Sequence, residues 1–144
     1  MFVDSSVIVA ILNEEPGAIE LEKRLEMHLD TRSASVFVSP LVRFEASLSL
    51  ARAFSERRGK RSDADLIRRA RMLVDEFIAE CGGEDVPITR DIGEAAVEVA
   101  MIYGKAVGHR ADLNFGDCFS YACAKEMNAP LLYKGADFAA TDLA

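Results

Sequence analysis

The chain has 144 residues, half of them hydrophobic and 28% charged, with a formal net charge of -7. That length is enough to bury a single core, and the composition is that of an ordinary globular protein. The acidic balance argues against a protein held to nucleic acid by bulk electrostatics alone, but it leaves room for a nuclease, whose metal-binding carboxylates are themselves concentrated negative charge. No apolar run is long enough to cross a bilayer, and the start lacks the basic region and cleavage site of a secretory signal. Cys81, Cys118 and Cys123 form an odd set without CxxC spacing. They read as buried thiols in a reducing cytoplasm, not as a disulfide frame or a zinc site. One domain over residues 1–144, cytoplasmic and without membrane contact, is the expectation.

Phe2-Val3 is a short candidate strand, followed by a helix from Ser5 to Leu12. Pro16 and Gly17 punctuate, and a second amphipathic helix runs to about Leu29, with Ile19, Leu25 and Leu29 among its apolar positions. Residues 35–39, SVFVS, alternate as a strand does, and Pro40 suits the first position of a long helix to about Arg57. Gly59 ends that helix, and a third helical stretch from about Ser62 to Glu80 stops at Gly82-Gly83. A short strand at Val86–Ile88 precedes a helix from about Arg90 to Val107. After the polar loop GHRADLN come a helix from about Phe115 to Met127, a last strand at Pro130–Tyr133, and a tail with room for a turn of helix. Short apolar strands alternating with helices predict an α/β fold with a parallel sheet covered on both faces.

In such sheets ligands gather outside the carboxyl ends of the strands. Asp4 follows the first strand, and Asp137 follows the last through a glycine. Asp4 also suits a helix N-cap, with Ser5 and Ser6 competing for that position. Glu45 lies in PLVRFEASLSLARAF, where its neighbours one turn away are Leu41, Val42, Leu48 and Ser49. None is basic, so a carboxylate beside an apolar stripe must reach water, hold a proton or meet a metal. Asp117 stands three residues after Asn114, the spacing of a capping box, and opens an apolar helix. Asp142 reads as a turn residue. Carboxylates converging on one edge repel unless a cation sits among them, and Mg²⁺ or Mn²⁺ suits such an oxygen site. Ions of that kind acidify water and stabilise the leaving oxygen of a phosphodiester, so hydrolysis of nucleic acid is within this chemistry.

Four stretches, MFVDSSVIVAIL, SPLVRFEASLSLARA, LNFGDCFSYACAKEMNAPLLYKG and ADFAATDL, together resemble the PIN-domain ribonucleases, and among them the VapC toxins of bacterial type II toxin–antitoxin systems. The resemblance runs in order along essentially the whole chain. It implies an α/β/α sandwich with a central parallel sheet and an acidic pocket for Mg²⁺ or Mn²⁺. It also implies endonucleolytic cleavage of RNA, a cognate VapB-type antitoxin that blocks the pocket, and a homodimer. By that resemblance Asp4, Glu45 and Asp117 are the catalytic, metal-holding acids. The family commonly carries its fourth acid two positions earlier, where this chain has Gly135; the KGADF form offers Asp137 instead, with Asp142 outside it. Ser5 orients Asp4 or serves as a cap.

Between Arg52 and Arg71 the chain carries eight basic residues against three acidic ones, a net +5 in an otherwise negative protein. Arg52, Arg57, Arg58, Lys60, Arg61, Arg68, Arg69 and Arg71 form either a solvated helical hairpin or an arm that positions RNA through its phosphates. His109 and Arg110, in the loop before Asp117, are further candidates for RNA contact, whereas His28 reads as a surface residue. Two other readings compete. A non-catalytic module with a degenerate PIN fold predicts gaps in the acidic set, and the three best-placed positions are filled. A phosphoacceptor receiver domain uses a lysine after its last strand, as Lys134 follows LLY, but requires an aspartate ending a central strand, and SVFVSP supplies none.

Overall fold

The computed structural model describes residues 1–32, 34–59 and 61–143. Four strands, β1 (Phe2–Val3), β2 (Phe37–Val38), β3 (Glu84–Asp85) and β4 (Leu131–Leu132), form one all-parallel sheet in the order β3-β2-β1-β4. Among the described residues six α-helices flank it in an α/β/α sandwich: α1 (Ser5–Leu12), α2 (Ala18–Leu29), α3 (Pro40–Arg57), α4 (Ala64–Glu80), α5 (Arg90–Tyr103) and α6 (Phe115–Glu126). The strands are short, yet Phe2, Val3, Leu131 and Leu132 are all buried, which is the continuous apolar character of a strand covered on both faces. Phe2 pairs with both Phe37 and Leu131, so β1 is central and β4 lies beside it. No helix among the described residues is long and apolar enough to cross a membrane.

Local signals set most boundaries. Ser39 accepts a hydrogen bond from the Val42 amide at 3.2 Å, with Pro40 in the first turn of α3. Asp63 caps α4, accepting from the Leu66 amide at 2.8 Å, so that helix starts a residue or two later than its composition suggests. Leu66, Ala70, Val74 and Ile78 then line one face of α4 at helical spacing and are buried, with α4 packed on α3. Arg43 ties three elements together. Its Nε and Nη2 reach the two oxygens of Asp85 at 2.7 and 3.1 Å, and its Nη1 reaches Asp75 at 2.9 Å.

Several expectations are corrected. The third strand lies at Glu84–Asp85, two residues before the apolar Val86–Ile88 run. The Val86 amide still bonds the Val38 carbonyl at 2.7 Å, but Pro87 has no N–H and ends the ladder there. The helix expected to reach Val107 stops at Tyr103, and Lys105–Val107 forms a separate 3₁₀ turn. Gly104 turns extended at that point, and a β-carbon there would collide with the Ala100 carbonyl oxygen. On α2 the buried stripe is Ala18, Leu21 and Leu25, while Ile19 and Leu29 face outward. Cys118 and Cys123 are buried free thiols as expected, but Cys81 is only half-buried. His28 is half-buried as well, its Nε2 lying 3.0 Å from the Ser35 carbonyl oxygen, so it is a structural histidine and not a free surface one.

Candidate metal centre

Asp4 follows β1 in extended conformation and caps α1, its Oδ2 accepting from the Ser6 amide at 2.9 Å. Its Oδ1 accepts from Ser120 Oγ of α6 at 2.7 Å. The side chain is 3% exposed and has no ion pair among the described residues. Capping and site geometry are thus both true of Asp4: the cap aims the carboxylate at the end of the sheet.

Glu45 stands on the second turn of α3, where Ser5 Oγ donates to its Oε2 at 3.0 Å. Its carboxylate lies against the backbone of Gly116 in the first turn of α6. A β-carbon on Gly116 would stand 2.5 Å from Oε2, so only glycine leaves the room. Burial pushes the Glu45 carboxyl up from its usual range; the Ser5 hydrogen bond opposes that shift, and the negative charge of Asp4 adds to it. Asp117 forms the capping box of α6, with Asn114 accepting from the Asp117 amide and Asp117 Oδ2 accepting from the Asn114 amide at 2.8 Å. The Asp117 carboxyl is raised to about 7, chiefly by burial; the bond from Asn114 opposes the rise, and the charges of Asp4, Asp137 and Glu45 add to it.

A cleft of about 300 Å³ collects these groups at the carboxyl ends of the strands. Its wall includes Asp4, Glu45, Asp117 and Asp137, together with Glu15 and a single cation, Lys134. Asp137 is exposed at the start of a 3₁₀ turn (Asp137–Ala140). Asp142 is not part of the wall: Lys125 pairs with it at 2.8 Å and the Tyr121 hydroxyl donates to it, which holds its carboxyl below the usual range.

The basic candidates stand elsewhere. Arg57 comes nearest, its Nη2 donating to the Asn13 carbonyl at 2.6 Å and its charge bearing on Glu15. Arg52 and Arg58 border other depressions along the α3–α4 hairpin. The His109 ring is half-buried edge-on to Tyr103, its Nδ1 accepting from the Ala111 amide at 3.1 Å, and Arg110 is exposed. None of these five lines the acidic cleft. Lys60, grouped with them in the sequence, lies outside the described residues.

Four contributors to the cleft escape a reading of the sequence. Ser120 sits one turn beyond Asp117 on the same face of α6, and that spacing is the signal that marks it. Gly116 carries no signal beyond its place between Asn114 and Asp117. Glu15 and Lys134 form an ion pair across 119 residues, which no local pattern announces.

The donor set fits a hard divalent cation by its chemistry. Apart from Lys134, the charged groups of the wall are all carboxylates, their mutual repulsion helps hold Asp117 partly protonated near neutrality, and the only cation in the wall among the described residues is already engaged by Glu15. Among the described residues no group of three or more His, Cys, Asp or Glu side chains is arranged to hold an ion by itself. Mg²⁺ usually takes one or two carboxylates and keeps several waters, so the arrangement suits an ion held partly through water.

Comparison with known proteins agrees with this architecture. The PIN domain family matches residues 1–143. A VapC ribonuclease of Rhizobium meliloti (strain 1021) is 52% identical over 99% of this chain and 98% of its own. A VapC ribonuclease of Mycobacterium bovis (strain ATCC BAA-935 / AF2122/97) is 37% identical over 100% of this chain and 96% of its own. The crystal structure of Mycobacterium tuberculosis VapC20, a toxin that cleaves the sarcin–ricin loop, superposes with a TM-score of 0.69 at 21% identity, covering 99% of this chain and 95% of that one. With the sheet order, the filled acidic positions and these full-length matches in hand, the chain belongs to the PIN-domain family, among the VapC ribonucleases.

Proposed function

We propose that this protein is an Mg²⁺- or Mn²⁺-dependent endoribonuclease toxin of the cytoplasm, restrained by a cognate VapB-type antitoxin. The observation that carries the reading is a cleft whose four facing carboxylates, Asp4, Glu45, Asp117 and Asp137, have no compensating charge of their own apart from the engaged Lys134. Asp4, Glu45 and Asp117 would hold the ion directly or through water, and Asp137 adds charge at the open side. When bound, the ion supplies acidification of water at neutral pH and stabilisation of the leaving oxygen.

The chain's own residues then divide the work. Ser6 and Ser120 fix both oxygens of Asp4, so its carboxylate would meet an ion without rearranging. Ser5 does the same for Glu45 from the next position in the chain. Asp117, with its carboxyl raised to about 7, exchanges a proton near neutral pH before the cleft is loaded. The expected substrate is an RNA whose backbone is exposed at a single-stranded or loop position, in keeping with the sarcin–ricin loop that VapC20 cuts.

Two protein partners complete the proposal, the antitoxin and a second copy of the chain. Exposed Val97, Met101, Ile102 and Phe115 on α5 and α6 offer apolar surface of the kind partners cover. Light scattering of the purified chain, alone and with antitoxin, reads both associations.

The deciding experiment is incubation of antitoxin-free protein with total cellular RNA in Mg²⁺ or Mn²⁺ against EDTA, beside Asp4→Asn. Discrete fragments that need the metal and vanish in the variant are the expected result. Intact RNA despite metal binding would favour the non-catalytic PIN module instead.

A further inference from the structure

Lys134 enters the reading above only as a cation engaged by Glu15, although among the described residues it is the one cation in the wall of the cleft. It is held at both ends. Its backbone amide donates to Ser6 Oγ at 3.0 Å, beside the cap of α1, and its ammonium bonds Glu15. Glu15 in turn accepts from Asn13 Nδ2 at 2.9 Å, so the carboxylate that holds the lysine is itself held. Asn13 is the C-cap of α1 and is anchored by Arg57 through its carbonyl. The lysine is therefore fixed to the α1 end of the cleft, not to any of the four facing acids.

An ammonium carries three donors, and Glu15 is the only side chain that takes one among the described residues. The Lys134 side chain remains 32% exposed. A phosphodiester bears a negative charge of its own and is repelled by the facing carboxylates as it approaches. Positive charge at the rim offsets that repulsion most strongly where it can also bond the phosphate, and two donors of Lys134 have no side-chain partner among the described residues.

We infer that Lys134, held in place by Glu15, is a phosphate-binding residue that receives the RNA backbone at the α1 end of the acidic cleft. This rests on the endoribonuclease reading and assigns it a substrate contact. The lysine acts as a point charge and carries no base preference.

The test compares the full-length, antitoxin-free protein with Lys134→Met, Lys134→Arg and the double variant Glu15→Gln/Lys134→Met, using a labelled single-stranded RNA and Mn²⁺. Loss of one charge-assisted phosphate contact raises KM about tenfold in Lys134→Met and leaves kcat within roughly twofold. The slope of log KM against log salt becomes shallower by about 0.7, the share of one phosphate on a single strand. Lys134→Arg restores KM. Mn²⁺ affinity measured without RNA is undiminished in Lys134→Met, because a like charge has left the ion's surroundings. The double variant, which leaves no unpaired carboxylate behind, reproduces the KM effect even if the single variant folds poorly. An unchanged KM and salt slope in a protein that still cuts RNA overturns this inference alone, and reduces Lys134 to the structural partner of Glu15. Failure of the unaltered protein to cut any RNA overturns it together with the function on which it rests.

Discussion

Asp75 and Asp85 meet Arg43, whereas Asp4, Glu45, Asp117 and Asp137 line one cleft. In the first group one guanidinium spans both carboxylates, in bidentate contact with Asp85, and the hydrogen bonds raise the arginine's own pKa still further. In the second, neutral donors alone reach Asp4 and Glu45: two serine hydroxyls and one backbone amide. The first group locks β3 and α4 to α3. The four acids of the second have no ion pair among the described residues. One chain thus uses the same residue types to close one cluster and to leave another open, and the difference lies in whether a cation is built in.

Neutralising the open group is expected to cost function and spare the fold. Asp117→Asn keeps an acceptor for the Asn114 amide but removes a charge, and RNA cleavage should fall roughly 100-fold, the scale of losing one group that stabilises transition-state charge. Retention of full cleavage by this variant would mean that the cluster is structural after all. A subtler break comes from Gly116→Ala. The new β-carbon displaces the Glu45 carboxylate, the far end of a side chain and not backbone, so the cost falls on the site; cleavage should drop about tenfold, as for disturbing a group that orients a metal ligand. The melting temperature should barely move, and a large fall would show that the backbone of α6 had shifted instead.

The closed group predicts the opposite pattern. Arg43→Met leaves Asp75 and Asp85 facing each other, but both are about half-exposed, so screening limits the loss to about 1 kcal/mol. That lowers the melting temperature by about 2–4 °C for a chain of this size, with cleavage unchanged.

The open group also carries a pH dependence. Asp117 binds its proton more tightly in the folded chain, at about 7, than at the ordinary value of 3.8. The folded state therefore holds more protons than the unfolded one between those values, and stability declines as pH rises from about 4 to about 7. In metal-free buffer Asp117→Asn should remove that decline and exceed the unaltered protein in melting temperature at pH 8 but not at pH 4. Parallel melting curves across that range would show that the Asp117 carboxyl is not raised.

Much of this contrast is visible in the amino-acid order. Asp4 stands where a strand gives way to a helix and Asp117 in a capping box, so their caps can be read from a few residues on either side, whereas the bonds from Ser5 to Glu45 and from Ser120 to Asp4 are long-range. Asp137 against Asp142 is different: Lys125 and Tyr121, which engage Asp142, lie on α6, and only the folded chain brings them to it. Strand β3 escaped because Glu84 and Asp85 are exposed, and an edge strand without an apolar face leaves no periodicity to read. The end of α5 escaped for a related reason, since the close approach of Gly104 to Ala100 is a matter of backbone path and not of composition. The Glu15–Lys134 pair is long-range in the same sense.

The bond from Ser120 to Asp4 joins residues 116 positions apart. Asp4 and Glu45 are made early, but Ser120, Asp117 and Asp137 all belong to the last quarter of these 144 residues, as does β4, which flanks β1. A chain still being translated therefore carries its first acids as separate, uncoordinated groups on an unfinished sheet. The cleft comes into existence only when the late segments dock, so a chain emerging from its first residue onward carries no assembled acidic site until those segments have followed.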